Sequence, residues 1–171
     1  MHNGTASHKE LRNSLPHAHM VFPDELINRV KYYIWRVYTP YHPFFRDLAI
    51  KLRLVSITKK VERFGARQRY LLGTIAPNET VEGVIEHLLS KGYGNHFVAW
   101  EDDGEVVSLR YVENFKYQYH LRIFEDGEVR GHYEFTTECH PLKHFYEIGF
   151  EDRREHFLSV LGDKITPVQT S

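Results

Sequence analysis

His120 and His132 are the residues best able to do chemistry in this chain, because the sequence between them sets them side by side. Glu125-Asp126-Gly127 reads as a three-residue hairpin loop, a type I turn followed by glycine in the left-handed position. That loop places Phe124 opposite Glu128, Leu121 opposite Gly131 and His120 opposite His132. Opposed residues on an antiparallel pair have Cβ atoms about 4.5–5.5 Å apart, so the two imidazoles become neighbours. Two histidines that trade proton roles near neutral pH suit metal-independent cleavage of a phosphodiester. One acts as base on a 2′-hydroxyl and the other as acid on the leaving oxygen. Arg122 and Arg130 oppose each other on one side of the pair, and Arg110 and Glu134 lie on the other. Arginine forks match phosphate geometry. Like charges facing each other on a strand pair require a bound anion or carboxylates brought from elsewhere. His120, His132, Arg110, Arg122, Arg130 and Glu134 are therefore the candidate catalytic set.

The register rests on side-chain alternation, since a slip of one residue would turn every side chain to the other face. With the three-residue loop, one face is Tyr117, Tyr119, Leu121 and Ile123 with Val129, Tyr133 and Phe135, almost wholly apolar. A two-residue loop would set Leu121 against His132 and Ile123 against Arg130, mixing the faces. Loops of the same kind at Asp102-Asp103-Gly104 and Glu113-Asn114-Phe115 pair Phe97 with Leu109, Ala99 with Val107, Tyr111 with Tyr117 and Leu109 with Tyr119. The opposite face then has three rows: His96, Arg110, Gln118, Glu134; Val98, Ser108, His120, His132; and Trp100, Val106, Arg122, Arg130. An antiparallel sheet ordinarily leaves one such polar face in water, which is the rival reading of these rows.

A metal-dependent hydrolase is a further alternative. His132, Cys139, His140 and His144 have the side chains a tetrahedral zinc site uses, although their spacing matches no finger or ribbon pattern. Phosphate-cradling glycine loops and zinc-protease motifs are lacking, so neither cofactor nor metal is expected in the leading reading.

The formal net charge of −1 hides two opposite stretches. Residues 29–69 carry eleven bases against Asp47 and Glu62, a net of +9, whereas 79–161 carry −9. Such asymmetry suits a polyanion, either nucleic acid or an anionic membrane surface, unless the two stretches neutralise each other across the fold. The candidate nucleic-acid contacts are Arg29, Tyr32, Trp35, Arg36, Lys51, Arg53, Lys59, Lys60, Arg63, Arg67 and Arg69, with Trp35 and Tyr32 offering rings for base stacking.

The elements that position these residues follow from periodicity. Residues 1–20 read as a mobile His-rich tail, and 21–171 as one α+β domain. Within it, a basic helix and ribbon occupy 24–75, and a helix, a meander and C-terminal helices occupy 78–162. The first helix, 24–38 with Asp24 near its cap, gathers Leu26, Ile27, Val30, Tyr33, Ile34, Val37 and Tyr38 on one face, leaving Asn28, Arg29, Tyr32, Trp35 and Arg36 on the other. Two strands at 55–64 and 67–75 flank Gly65. A helix over 79–91, capped by Asn78, repeats apolar residues at helical spacing, and four strands follow at about 96–101, 105–112, 116–124 and 128–136. Pro141 opens a further helix, and Asp152 to Glu155 resembles a capping box for a last one ending before Gly162. The expected architecture is α+β with a mainly antiparallel sheet: the C-terminal four-strand meander plus one or two earlier strands, with helices on one face.

The function expected from this is nucleic-acid interaction, with RNA or DNA as partner and ribonuclease or phosphodiesterase chemistry at the His pair. A non-enzymatic interaction or regulatory module, self-associating or binding a protein partner, is the alternative. With 14% aromatics, a single cysteine, no secretory leader and no apolar run long enough to span a membrane, the expected setting is a reducing cytoplasm.

Overall fold

A computed structural model describes residues 4–42, 44, 45, 48, 71–96, 104–140 and 150–169. Among the described residues, the helices α1 (Gly4–Ser14), α2 (Leu26–Tyr38), α3 (Val81–Ser90) and α4 (Phe150–Leu161) accompany a six-stranded sheet. Its strands are β1 (Leu71–Ile75), β2 (Gly94–Asn95), β3 (Glu105–Val112), β4 (Tyr117–Phe124), β5 (Glu128–Phe135) and β6 (Ile165–Pro167), in the order β2-β3-β4-β5-β1-β6. Every strand pair is antiparallel, and the architecture is the expected α+β one.

Alternation decides what this sheet buries. Val107 and Leu109 of β3, Tyr119, Leu121 and Ile123 of β4, and Val129 and Tyr133 of β5 point to one face. Val84, Ile85 and Leu88 of α3 and Phe157 and Leu161 of α4 close over them, with Leu11 of α1 packed at the margin. Gly131 lets α4 approach: a Cβ there would stand 2.9 Å from Leu72 Cδ1 and 3.1 Å from the Phe157 ring.

The β4–β5 register is the expected one, with His120 opposite His132, Leu121 opposite Gly131 and Arg122 opposite Arg130. Gly127 has φ 81°, as the left-handed position of that turn demands. The β3–β4 register is displaced by two residues, pairing Tyr111 with Tyr119, Leu109 with Leu121 and Arg110 with His120. The cause is local. Asn114 Oδ1 accepts from the backbone N–H of Lys116 at 2.9 Å and of Tyr117 at 3.1 Å, and Phe115 is buried, so the loop spans 114–116 rather than 113–115. The β2–β3 register, Gly94 opposite Arg110, is also two residues away from expectation. The strand expected over 96–101 and the Asp102-Asp103-Gly104 loop fall mostly outside the described residues, as do the strand at 55–64 and the helix at Pro141.

Other boundaries move for equally local reasons. Residues 4–18, expected as a tail, are α1 and a segment packed on the sheet, where Asn95 Nδ2 donates to Arg12 O at 2.6 Å and Asn95 N donates to Pro16 O at 2.7 Å. The cap of α3 is Thr80, whose hydroxyl accepts from Gly83 N at 3.0 Å, because the chain still turns at Asn78. Asp152 lies inside α4 rather than at its cap, while the helix does end before Gly162, which has φ 56°.

Helix α2 sits the opposite way round from a core helix. Asn28 is buried, its amide donating to Glu25 Oε2 at 2.8 Å, and Lys31 Nζ donates to Cys139 O at 3.0 Å. The Tyr32 ring lies 6.3 Å from Phe115. Leu26, Ile27, Val30, Tyr33, Ile34 and Val37, the face expected to pack, are between 53% and 78% exposed.

Candidate metal centre

The sheet face opposite the apolar core carries the sequence's candidate residues, and it is not a solvated surface. Arg110, Gln118, His120, Arg130 and Glu134 are all buried, as are Ser108 and His96. Its rows across β3, β4 and β5 are Val112, Gln118, Glu134; Arg110, His120, His132; and Ser108, Arg122, Arg130. The two-residue displacement of β3 therefore seats Arg110 beside His120.

His120 is the hub. Its Nδ1 lies 2.9 Å from His132 Nε2 and 3.4 Å from Glu134 Oε1, and His132 Nε2 lies 3.3 Å from Glu134 Oε2. On its other edge, His120 Nε2 is hydrogen-bonded to the Ser108 hydroxyl and stands 3.4 Å from His96 Nδ1. Ligand atoms of His96, His120 and Glu134 all fall within 4.8 Å of one another. Burial, reinforced by the neighbouring His132, pushes the His120 imidazole down to about 3, so it is neutral throughout the physiological range.

A chain of polar contacts holds Glu134 in place. Gln118 Nε2 donates to Glu134 Oε1 at 2.6 Å, and Gln118 Oε1 accepts from Arg110 at 3.0 Å. Arg110 in turn grips Glu138 with both ends of its guanidinium, at 2.8 and 3.0 Å. This fork-to-fork pair is buried on both sides, with Arg110 and Glu138 side chains 2% and 6% exposed. The facing charges of Arg122 and Arg130 are met by carboxylates of the chain itself. Arg122 pairs with the buried Glu105 and Arg130 with Glu128, and both guanidinium groups lie over the Phe124 ring, at 5.6 and 4.6 Å.

Of the metal set expected around Cys139, the described members Cys139 and His140 have other neighbours. The Cys139 thiol, its pKa pushed up by burial, points at Asn28 Oδ1 at 3.9 Å, and the His140 ring meets Phe135 edge-on at 4.8 Å. His144 is outside the described residues. His96 is the member that sequence reasoning left out of its candidate set. Alternation had already put it on the His120 face, and that was the available signal.

The candidate nucleic-acid residues Arg29, Tyr32, Trp35 and Arg36 all lie on α2. Arg29 Nε donates to Pro23 O at 3.1 Å and its guanidinium lies over Phe22, while Arg36 is exposed. Tyr32 meets Phe22 edge-on at 5.1 Å, and Trp35 meets Tyr38 in the same way at 5.1 Å, so both rings already have neighbours. Lys51, Arg53, Lys59, Lys60, Arg63, Arg67 and Arg69 fall outside the described residues. No family model, curated protein or solved structure matches this chain.

Proposed function

We propose that the protein is a metal-binding protein holding a first-row divalent ion, zinc by preference, among His120, His132 and Glu134. The observation that carries this reading is the close spacing of ligand atoms on three residues, two of them buried and His132 partly so. His120 Nδ1, His132 Nε2 and Glu134 lie 2.9 to 3.4 Å apart. Ligands on a tetrahedral zinc, with bonds of about 2.0–2.1 Å, stand about 3.4 Å from one another. Imidazole and carboxylate are the donors such an ion takes, and a neutral His120 offers its lone pair without first losing a proton.

The surroundings are those of ligands held by a second layer. Ser108 engages the nitrogen of His120 that faces away from Glu134, and Gln118 fixes the Glu134 carboxylate. His132, with its side chain 20% exposed, is the most accessible of the three closely spaced ligands and marks the approach from solvent. Water bound there would be acidified by the ion, and metal-dependent hydrolysis is the chemistry that would follow. The metal-free phosphodiesterase reading draws less support, because both ring nitrogens of His120 are already engaged, Nδ1 with His132 and Nε2 with Ser108. Arg110, Arg122 and Arg130 are moreover already bonded to carboxylates rather than aimed at an incoming phosphate.

Titration of chelator-stripped protein with Co²⁺ tests the proposal through the visible absorption of a tetrahedral His/carboxylate site. Saturation at one equivalent and a raised melting temperature are expected, with both lost in His120→Ala. Ser108→Ala should retain the stoichiometry and weaken affinity by about 10–100-fold. A stripped protein that shows neither absorption nor a melting shift would leave the cluster as a hydrogen-bonded core network.

A further inference from the structure

Helix α2 exposes what a core helix buries, and the exposure continues past its end. Beyond the 3₁₀ turn at Thr39–Tyr41, residues 42, 44, 45 and 48 are helical, and Tyr41, Phe44, Phe45 and Leu48 are 41% to 65% exposed. With Val30, Ile34 and Val37 they form one stripe at helical spacing. A contiguous apolar run of this length goes beyond the scattered single residues usual on a monomer's surface. Tyr33, Ile34, Val37, Tyr38 and Tyr41 line an open apolar groove of about 530 Å³ along it. At about 100° per residue, the exposed Arg29 and Arg36 border the stripe on one side, while Lys31 on the other is turned to the protein body, its Nζ on Cys139 O. Among the described residues, the acids nearby, Asp24 and Glu25, are at the N-terminal end, where Glu25 already pairs with Lys116, and the sequence adds Asp47 beside Arg46. The stretch running on from the helix, 29–69, carries +9 in the sequence.

We propose that this stripe seats the protein on an anionic lipid bilayer, α2 lying in the interface with its apolar residues among the acyl chains and its flanking cations at the headgroup phosphates. The pattern matches the physics of an interfacial helix: a wide apolar face rich in aromatic residues, bordered by arginines. No helix among the described residues is long and apolar enough to cross a membrane, so the attachment is to the surface. A second copy docked face to face would bring two sets of Arg29 and Arg36 together, a repulsion an anionic headgroup layer turns into attraction. Nucleic acid supplies the negative charge but no apolar phase for Ile27, Val30, Ile34 and Val37.

Flotation of the full chain with vesicles of equal parts phosphatidylcholine and phosphatidylglycerol, beside vesicles of phosphatidylcholine alone, tests the proposal. The protein is expected to float with the anionic vesicles and to partition at least about tenfold less onto the neutral ones. Ile34→Ser/Val37→Ser, at positions already in water and so harmless to the fold by circular dichroism, should lower anionic partition by at least about tenfold. Failure to float with anionic vesicles overturns the proposal. So does flotation unchanged by the double substitution, which would make the attachment a matter of charge alone. A dimer in sedimentation equilibrium that the substitution dissolves would assign the face to a second copy instead. An RNA oligonucleotide whose binding the substitution abolishes would assign it to nucleic acid.

Discussion

On one side of β4, Tyr119, Leu121 and Ile123 enter an apolar core; on the other side of the same strand, Gln118 and His120 are just as deeply buried among charges. The apolar side needs only close packing, so its stability follows the area removed from water and is tolerant in detail. The polar side must satisfy each donor and acceptor, because a charge or amide left unpaired there costs more than the bond it lost was worth. Glu138, Arg110, Gln118, Glu134 and His120 form one connected chain of contacts for that reason. A buried polar layer with so many imidazole and carboxylate atoms close together is a poor way to stabilise a sheet and a good way to hold an ion. The lesson is that burial by itself does not distinguish the two sides; the means of compensation does.

The comparison can be broken from either side. Glu138→Ala would strand the Arg110 guanidinium, and a loss of about 3–5 kcal/mol in urea unfolding is expected. Leu121→Ala on the apolar side should cost a similar 2–5 kcal/mol or so. The two differ in rescue: adding Arg110→Met to Glu138→Leu should recover most of the loss, since a buried ion pair exchanges well for apolar side chains of like volume. Failure of that rescue would mean the pair is needed to orient Gln118 and Glu134, and Co²⁺ binding would then fall with it.

Between these lies the sheet edge. A Cβ at Gly73 would stand 2.3 Å from Thr166 O, a backbone atom that can yield only if β6 moves. Gly73→Ala should therefore cost about 1–3 kcal/mol and expose the β1 edge to hydrogen exchange.

On the polar side, acid acts through His120. In metal-free protein the His120 pKa is lowered from its ordinary 6.5 to about 3, so between those values the unfolded chain binds a proton the folded chain refuses. The contribution is complete above 6.5 and is lost as the pH falls toward 3, with a slope of at most about 1.4 kcal/mol per pH unit. Unfolding midpoints followed down this range should decline less steeply in His120→Leu; equal slopes would place His120 in contact with water. The smallest effect is expected at the exposed Lys116–Glu25 pair, where Lys116→Ala should leave the unfolding midpoint unchanged within error.

Much of the sheet was legible because alternation has a period of two. The sorting of β3, β4 and β5 into an apolar and a polar face, and the opposition of His120 and His132 across Glu125-Asp126-Gly127, follow from the residues themselves. The β3–β4 register was not legible in the same way. Loops at 113–115 and 114–116 differ by two residues of register and put the same side chains on the same faces, so the apolar pattern is blind to the choice. The Asn114 amide makes it, through bonds to two backbone N–H groups that composition does not display. The cost of that blindness fell on the site, where Arg110 rather than Ser108 is seated directly opposite His120.

By itself, then, the sequence determined the α+β class, the partition of the strands into two chemical faces and the His120–His132 neighbourhood, since each depends on local turn geometry and periodicity. Only the tertiary structure decided that the polar face is closed, that His96 and Glu134 converge on His120, and that α2 turns its apolar stripe outward. Periodicity separates one face of an element from the other. Whether a given face meets water, an ion, a lipid or the rest of the chain depends on what the fold brings against it.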